Sequence, residues 1–217
     1  MPGGSSYTID ELKGMVDGKT IAQWTQDWWT WVFQSSASAN PLEDADGAFA
    51  NNNNSGPVFF VAGTSGGSAE RTFTVPAGKP LLIPLVNFVD TVPEATASSR
   101  ASPQSVRATE SQLLQKAIAS VTNVFASVDG TAVKNPFSDL VQTSFFSMGE
   151  AREGTVATAL GEEVGNVMDP SKAAGYWVML KGLPAGQYTL NFGGSSSGVP
   201  GALDPFAVNV TDHITAV

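Results

Sequence analysis

The chain has 217 residues, 42% of them hydrophobic and 14% charged, enough apolar mass for one sizeable core. Eleven Lys and Arg against twenty Asp and Glu give a formal net charge of −9. That sign repels nucleic-acid backbones and anionic membrane surfaces, so no nucleic-acid partner is expected. There is no cysteine and a single histidine, His213, which excludes thiol catalysis, cysteine-ligated zinc, iron–sulfur clusters, disulfides and multi-histidine metal sites.

No apolar run reaches the roughly 18–20 residues that cross a bilayer, so membrane insertion is not expected. The start Met1-Pro2-Gly3-Gly4-Ser5-Ser6 has neither the basic nor the apolar region of a signal peptide. Few lysines and abundant Gly, Ser, Ala, Thr and Asn are nevertheless the composition of bacterial surface and exported proteins. The expected location is extracellular or on the bacterial cell surface, with Met1 standing where a removed signal ended.

Thr8 and Glu11 have the Ser/Thr-x-x-Glu spacing of a capping box, which predicts a short helix limited by Gly14 and Gly18. A second box, Thr20 with Gln23, opens a helix over 21–33. Ile21, Trp24, Trp28 and Trp31 share one face of it, with Ala22, Trp29 and Phe33 on the adjacent stripe, so more than half its circumference is apolar. From Asn40 to Ser55 the chain is turn chemistry: Asn40-Pro41, Asp46-Gly47 and the run Asn51 to Asn54. Strands are predicted at 58–62, 71–75 and 81–88, separated by a Gly-rich turn and by Pro76-Ala77-Gly78. Ser102 as N-cap and Pro103 at the first helical position begin a second helix, about 103–121, buried along Val106, Leu113, Leu114, Ala117, Ile118 and Val121. A strand at 124–128 then meets the hairpin turn Asp129-Gly130.

The last third reads as β again, with a strand at 141–148 and a long polar loop over 149–174. Segments 176–183 and 188–192 flank Pro184-Ala185-Gly186 as a hairpin, and the glycine- and serine-rich 193–198 reads as a flexible loop. In a final strand, 205–217, Phe206, Val208, Val210, Ile214 and Ala216 face one way and His213 the other. Many short strands with Gly/Pro turns predict a mainly β fold, an antiparallel β-sandwich or jelly roll with a Trp-rich N-terminal helix and one further helix. A single domain over 1–217 is expected, its helical segment 1–36 packed on a sandwich over 37–217. Phe59, Val61, Leu82, Leu85, Trp177, Leu190 and Val208 are expected in its core.

Trp28-Trp29-Thr30-Trp31, Val58 to Thr64, Val75-Pro76-Ala77-Gly78-Lys79, Gly175-Tyr176-Trp177-Val178-Met179-Leu180 and Val210-Thr211-Asp212-His213-Ile214-Thr215 together resemble a family of mostly exported bacterial proteins. The resemblance spans most of the chain, implies export and a β-rich fold, and leaves function open. Relatives of that kind often carry two cysteines, at places held here roughly by Ala50 and Phe73, so any stapling disulfide is lost.

Candidate sites are few. His213 has the chemistry of a general base, but Asp212 beside it points to the opposite face and no second histidine can share a metal, so a surface histidine is expected. Glu43, Asp44 and Asp46 could form an irregular calcium site with carbonyls of the asparagine run; no other cofactor is expected. The helix-loop-helix calcium motif fails, since Leu42 and Asn53 fall where two carboxylates are needed. Glu150, Glu153, Glu162 and Glu163 are the carboxylates a glycosidase would use. Ser65 and Ser196 have the Gly-x-Ser-x-Gly spacing, but neither leads from a strand into a helix, so no nucleophile elbow is read and a serine hydrolase is not expected.

Trp24, Trp28, Trp29 and Trp31 are the interface or glycan-stacking candidates, with Trp29 the ring left over once the Ile21 face is buried. The sequence thus predicts a non-enzymatic extracellular or cell-surface structural and interaction protein that self-associates or meets a surface partner. The alternative is a carbohydrate-binding or carbohydrate-active β-sandwich.

Overall fold

A computed structural model describes residues 9–91 and 103–217. It is mainly β, with helices in the minority. Among the described residues no helix follows the capping box at Thr8, which itself lies outside them, and Met15–Val16 (β1) and Lys19–Thr20 (β2) pair as a small hairpin instead. Asp17 (φ 47°) and Gly18 (φ 76°) supply the two left-handed positions of a two-residue hairpin turn, and this local turn chemistry overrides the helix signal.

The second box behaves as read. The Thr20 hydroxyl accepts from Gln23 N–H while the Gln23 side chain accepts from Thr20 N–H, starting α1 (Ile21–Gln34).

The strands Phe59–Phe60 (β3), Gly67–Val75 (β4), Leu81–Thr91 (β5), Val121–Val128 (β6), Thr131–Ala132 (β7), Leu140–Gln142 (β8), Ser171–Leu180 (β9), Gly186–Ser196 (β10) and Phe206–Ala216 (β11) form two larger sheets. Their orders are β4-β11-β10-β6-β7 and β3-β5-β9-β8. Both are mixed and not purely antiparallel, because β4 runs parallel to β11 and β3 parallel to β5.

A helix, α2 (Pro103–Ala119), precedes β6, and a short one, α3 (Val156–Ala159), interrupts what reads as a loop. The expected N-cap of α2, Ser102, lies outside the described residues. The Asp129-Gly130 turn closes the β6–β7 hairpin, both residues at positive φ.

Three local readings are corrected. β9 and β10 are not a hairpin; they belong to different sheets, and 181–185 carries the chain between them. β9 is buried on both faces and pairs on both edges, with β5 and with β8, whereas β10 pairs with β11 and β6. The predicted loop 193–198 is strand as far as Ser196. Gly193 and Gly194 serve close approach there: a Cβ on Gly193 would lie 1.9 Å from the Val208 carbonyl oxygen, and one on Gly194 2.2 Å from that of Asn123. The strand predicted at 141–148 shrinks to β8, beyond which Phe146 makes only an isolated bridge to Ser171.

One apolar core lies between the sheets, with Phe59, Val61, Ile83 and Leu85 from one side meeting Phe73, Val124, Leu190, Phe192, Val210 and Ile214 from the other. All seven residues expected in the core are buried. Ala50 and Phe73 both belong to this core.

The far face of β5 and β9 makes a second core through Leu82, Ala173, Trp177 and Met179. It packs against α1 and against Met148, Ala151, Val156, Ala157 and Met168. The aromatic helix is therefore clasped by the chain itself. Trp28 sits at the centre, its ring centroid 5.0 Å from Trp29 and 5.1 Å from Trp177 in edge-to-face geometry.

Candidate ligand-binding cleft

Among the described residues, β3 covers β5 only at Leu81 and Leu82. After Val61, whose N–H still reaches the Leu82 carbonyl, the chain turns away. On β5, Pro84 faces Trp177 and Val86 faces Tyr176, so Leu85 is an inserted bulge residue. Such a bulge bends a strand, and Pro84 has no N–H to offer a further one. A cleft of about 440 Å³ opens here, between 84–88 of β5, 63–65, the connection 202–206 and the rings of Trp28 and Trp29. This size lies within the range of small-molecule sites. Its walls are mostly apolar, with Leu42, Pro84, Leu85, Val86, Phe88, Leu203, Phe206 and Val208 among them. Phe88 and Phe206 meet edge to face with centroids 5.8 Å apart.

The wall at 62–63 is held by a buried arginine. Arg71, 2% exposed on the inward face of β4, donates from Nη1 to the Ala62 carbonyl (2.7 Å) and from Nη2 to that of Gly63 (2.6 Å). Its Nε donates to the Asp44 carbonyl at 2.8 Å. The Asp44 carboxylate in turn accepts N–H bonds from Gly47 and Phe49, so residue 44 closes its own loop while that loop anchors Arg71.

Asp212 lies opposite Arg71 in the β4–β11 register and is fully buried, and neither carboxyl oxygen has a hydrogen-bond partner among the described residues. Burial pushes its pKa up to about 7, with Arg71 and His213 opposing the shift and Asp44 adding to it. Burial likewise lowers the pKa of Arg71, against the attraction of Asp212 and Asp44.

All four tryptophans of α1 are buried, so Trp29 is not a ring left on the surface. What distinguishes it is its polar atom. Trp24 Nε1 donates to the Val16 carbonyl (2.8 Å), Trp28 Nε1 to Val61 (2.8 Å) and Trp31 Nε1 to Asn52 (2.9 Å). The Nε1–H of Trp29 has no acceptor among the described residues, and its ring lines the cleft.

The premise of self-association through an over-large aromatic face is corrected accordingly: the rings that were to be covered by a second copy are covered by β5, β9 and 148–168.

The other candidates fall elsewhere. Asp44, Asp46 and Glu43 are each engaged by neighbours: Asp46 accepts from Ala48 N–H and Glu43 from the Ser65 hydroxyl. No trio of His, Cys, Asp or Glu among the described residues is grouped to hold a metal ion. Glu150, Glu153, Glu162 and Glu163 do not line the cleft. Glu162 has one buried carboxyl oxygen without a partner among the described residues, and burial raises its pKa.

His213 is not isolated: its Nε2 lies 3.0 Å from a Glu70 carboxylate oxygen on the outward face of the β4–β11 pair, beside a polar hollow lined by Thr72, Asp129 and Thr189. Sequence reasoning missed Glu70 because the parallel pairing of β4 with β11 joins segments far apart in the chain. It missed the cleft residues too, although Pro84 inside a strand run is a bulge or edge signal. Compared with family models, with curated proteins and with solved structures, the chain matches none.

Proposed function

We propose that the protein is a non-enzymatic binding module of the extracellular or cell-surface space, which holds a small, largely apolar molecule in the cleft beside β5. On this reading the two sheets act as a β-sandwich that fixes the cleft walls. One observation carries the proposal: a cavity of about 440 Å³ with apolar and aromatic walls lies where β5 loses its neighbouring strand. Among the described lining residues Asp204 is the sole titratable side chain, and these residues offer no paired acid and base of the kind proton-transfer chemistry uses. The glycan alternative is less well supported, because Trp24 and Trp31 are buried in the second core away from the cleft, and the described cleft walls around Trp28 and Trp29 are mostly apolar.

The location rests on composition and on the resemblance to exported proteins. A thermal-shift screen of neutral apolar ring compounds against oligosaccharides tests the proposal. A ligand at 100 times its Kd stabilises by about 2.7 kcal/mol, a shift of several degrees. Apolar compounds are expected to raise the Tm of the native chain and to lose that effect in Ala202→Trp, which fills the cleft from an exposed loop position. Shifts produced by oligosaccharides alone, or undiminished in Ala202→Trp, would overturn it.

A further inference from the structure

We infer that the cleft selects uncharged ring compounds that carry a hydrogen-bond acceptor, and that the indole N–H of Trp29 is the donor that meets it. The inference rests on the binding-module reading and adds the ligand class.

Its first support is the orphaned donor. An indole N–H buried without a partner carries a desolvation penalty, and proteins seldom leave one so. On α1 the rule is kept three times, at Trp24, Trp28 and Trp31, each of which reaches a backbone carbonyl. Trp29 is as buried as they are, at 7% exposure, and is the one tryptophan of α1 whose N–H has no acceptor among the described residues; Trp177 Nε1 also has none, but Trp177 does not line the cleft. It is also a wall of the cleft. An incoming carbonyl or ether oxygen supplies what the protein does not, after a turn of the ring that brings the covered N–H to it.

The second support is charge. Among the described residues no Lys or Arg lines the cleft, Asp204 is exposed at its rim, and the whole chain carries −9. A carboxylate or phosphate group would be desolvated with no counter-ion and repelled from a distance. Hydrated at the rim, Asp204 gives a cation only a weak, screened attraction. The third support is shape. Trp29, Phe88 and Phe206 present three aromatic rings to one space, which suits a flat ring held by edge and face contacts better than a flexible chain.

Three probes of matched size separate these points: 2-acetonaphthone, which has an acceptor, 2-ethylnaphthalene, which has none, and 2-naphthoate, which is anionic. Titrations of the full chain are followed by calorimetry and by the indole N–H resonances, assigned with single Trp→Phe variants. The ketone is expected to move the Trp29 indole proton downfield, and 2-ethylnaphthalene to leave it near its free position. Trp29→Phe is expected to weaken the ketone about fivefold more than the hydrocarbon, the ratio cancelling lost ring packing.

Equal losses for both would overturn the role of the Trp29 donor. Binding of 2-naphthoate as tight as the ketone would overturn the selection for uncharged ligands. Failure of all three to bind, with Ala202→Trp indistinguishable from the native chain, would instead remove the cleft itself as a binding site.

Discussion

Asp212 offers the sharpest test of the interior as described. Its carboxyl is fully buried with neither oxygen hydrogen-bonded among the described residues, and burial holds its pKa at about 7 despite Arg71. In the unfolded chain an aspartate titrates near 3.9. A folded-state pKa above the unfolded one means that the native state binds the extra proton between those values. The contribution to stability is therefore complete below about pH 4 and is lost as pH rises toward 7. At about 1.4 kcal/mol per pH unit over some three units, the loss reaches about 4 kcal/mol. Asp212→Asn cannot titrate. Relative to the native chain it is expected to be near neutral at pH 4 and more stable by up to about 4 kcal/mol at pH 8. Urea unfolding of both proteins at half-unit steps from pH 4 to 8 measures this, and the difference between them cancels the other carboxylates. The opposite physics is equally definite. If Asp212 were ionised as the counter-ion of Arg71, the substitution would strand a buried cation and cost about 3–5 kcal/mol at neutral pH. A difference curve of that sign would refute the reasoning.

Other substitutions separate packing from hydrogen bonding. Trp31→Phe removes a bond to the Asn52 carbonyl, and Trp29→Phe removes an N–H with no partner, so chemical denaturation should find Trp31→Phe the more destabilising by about 1 kcal/mol. Trp28→Ala empties the centre of the aromatic cluster and should cost about 3–5 kcal/mol in the same assay. Gly193→Ala would force a methyl against the Val208 carbonyl oxygen and should destabilise by about 3 kcal/mol, read as a fall in Tm. His213→Ala breaks only an exposed pair with Glu70 and should alter stability by less than about 1 kcal/mol, with ligand binding unchanged in calorimetry.

What could be read from the chain alone was what is local. The Thr20 box, the Asp129-Gly130 turn and the inward-facing positions of the last strand depend on residues within a few places of one another, and the structure realises them. Readings failed where two local signals competed or where the partner was distant. At 8–18 a capping box and an Asp-Gly turn overlapped, and the turn won because two adjacent left-handed residues reverse the chain outright. Across Pro184-Ala185-Gly186 the turn residues invited a hairpin, yet β9 is apolar on both faces and needs a sheet around it as well as cover above and below. The parallel pairing of β4 with β11 has no local signature, and with it went Glu70 beside His213 and Arg71 opposite Asp212. An arginine on the inward stripe of a strand, between Ala69 and Phe73, was the one sign that something polar had to be satisfied inside.

That arginine and the cleft have one cause. When β3 ends at Phe60, the carbonyls of Val61, Ala62 and Gly63 lose the prospect of a strand partner while remaining among buried residues. Left alone, each would cost about 1–3 kcal/mol. Trp28 Nε1 takes the first, and the fork of Arg71 takes the other two together with the carbonyl of Asp44. The chain can thus leave the flank of β5 without stranding its backbone, and the space it vacates is the cleft. Trp29 lies on the same helix one residue further on, past the last carbonyl that α1 satisfies in this wall. Among the described residues nothing accepts its N–H.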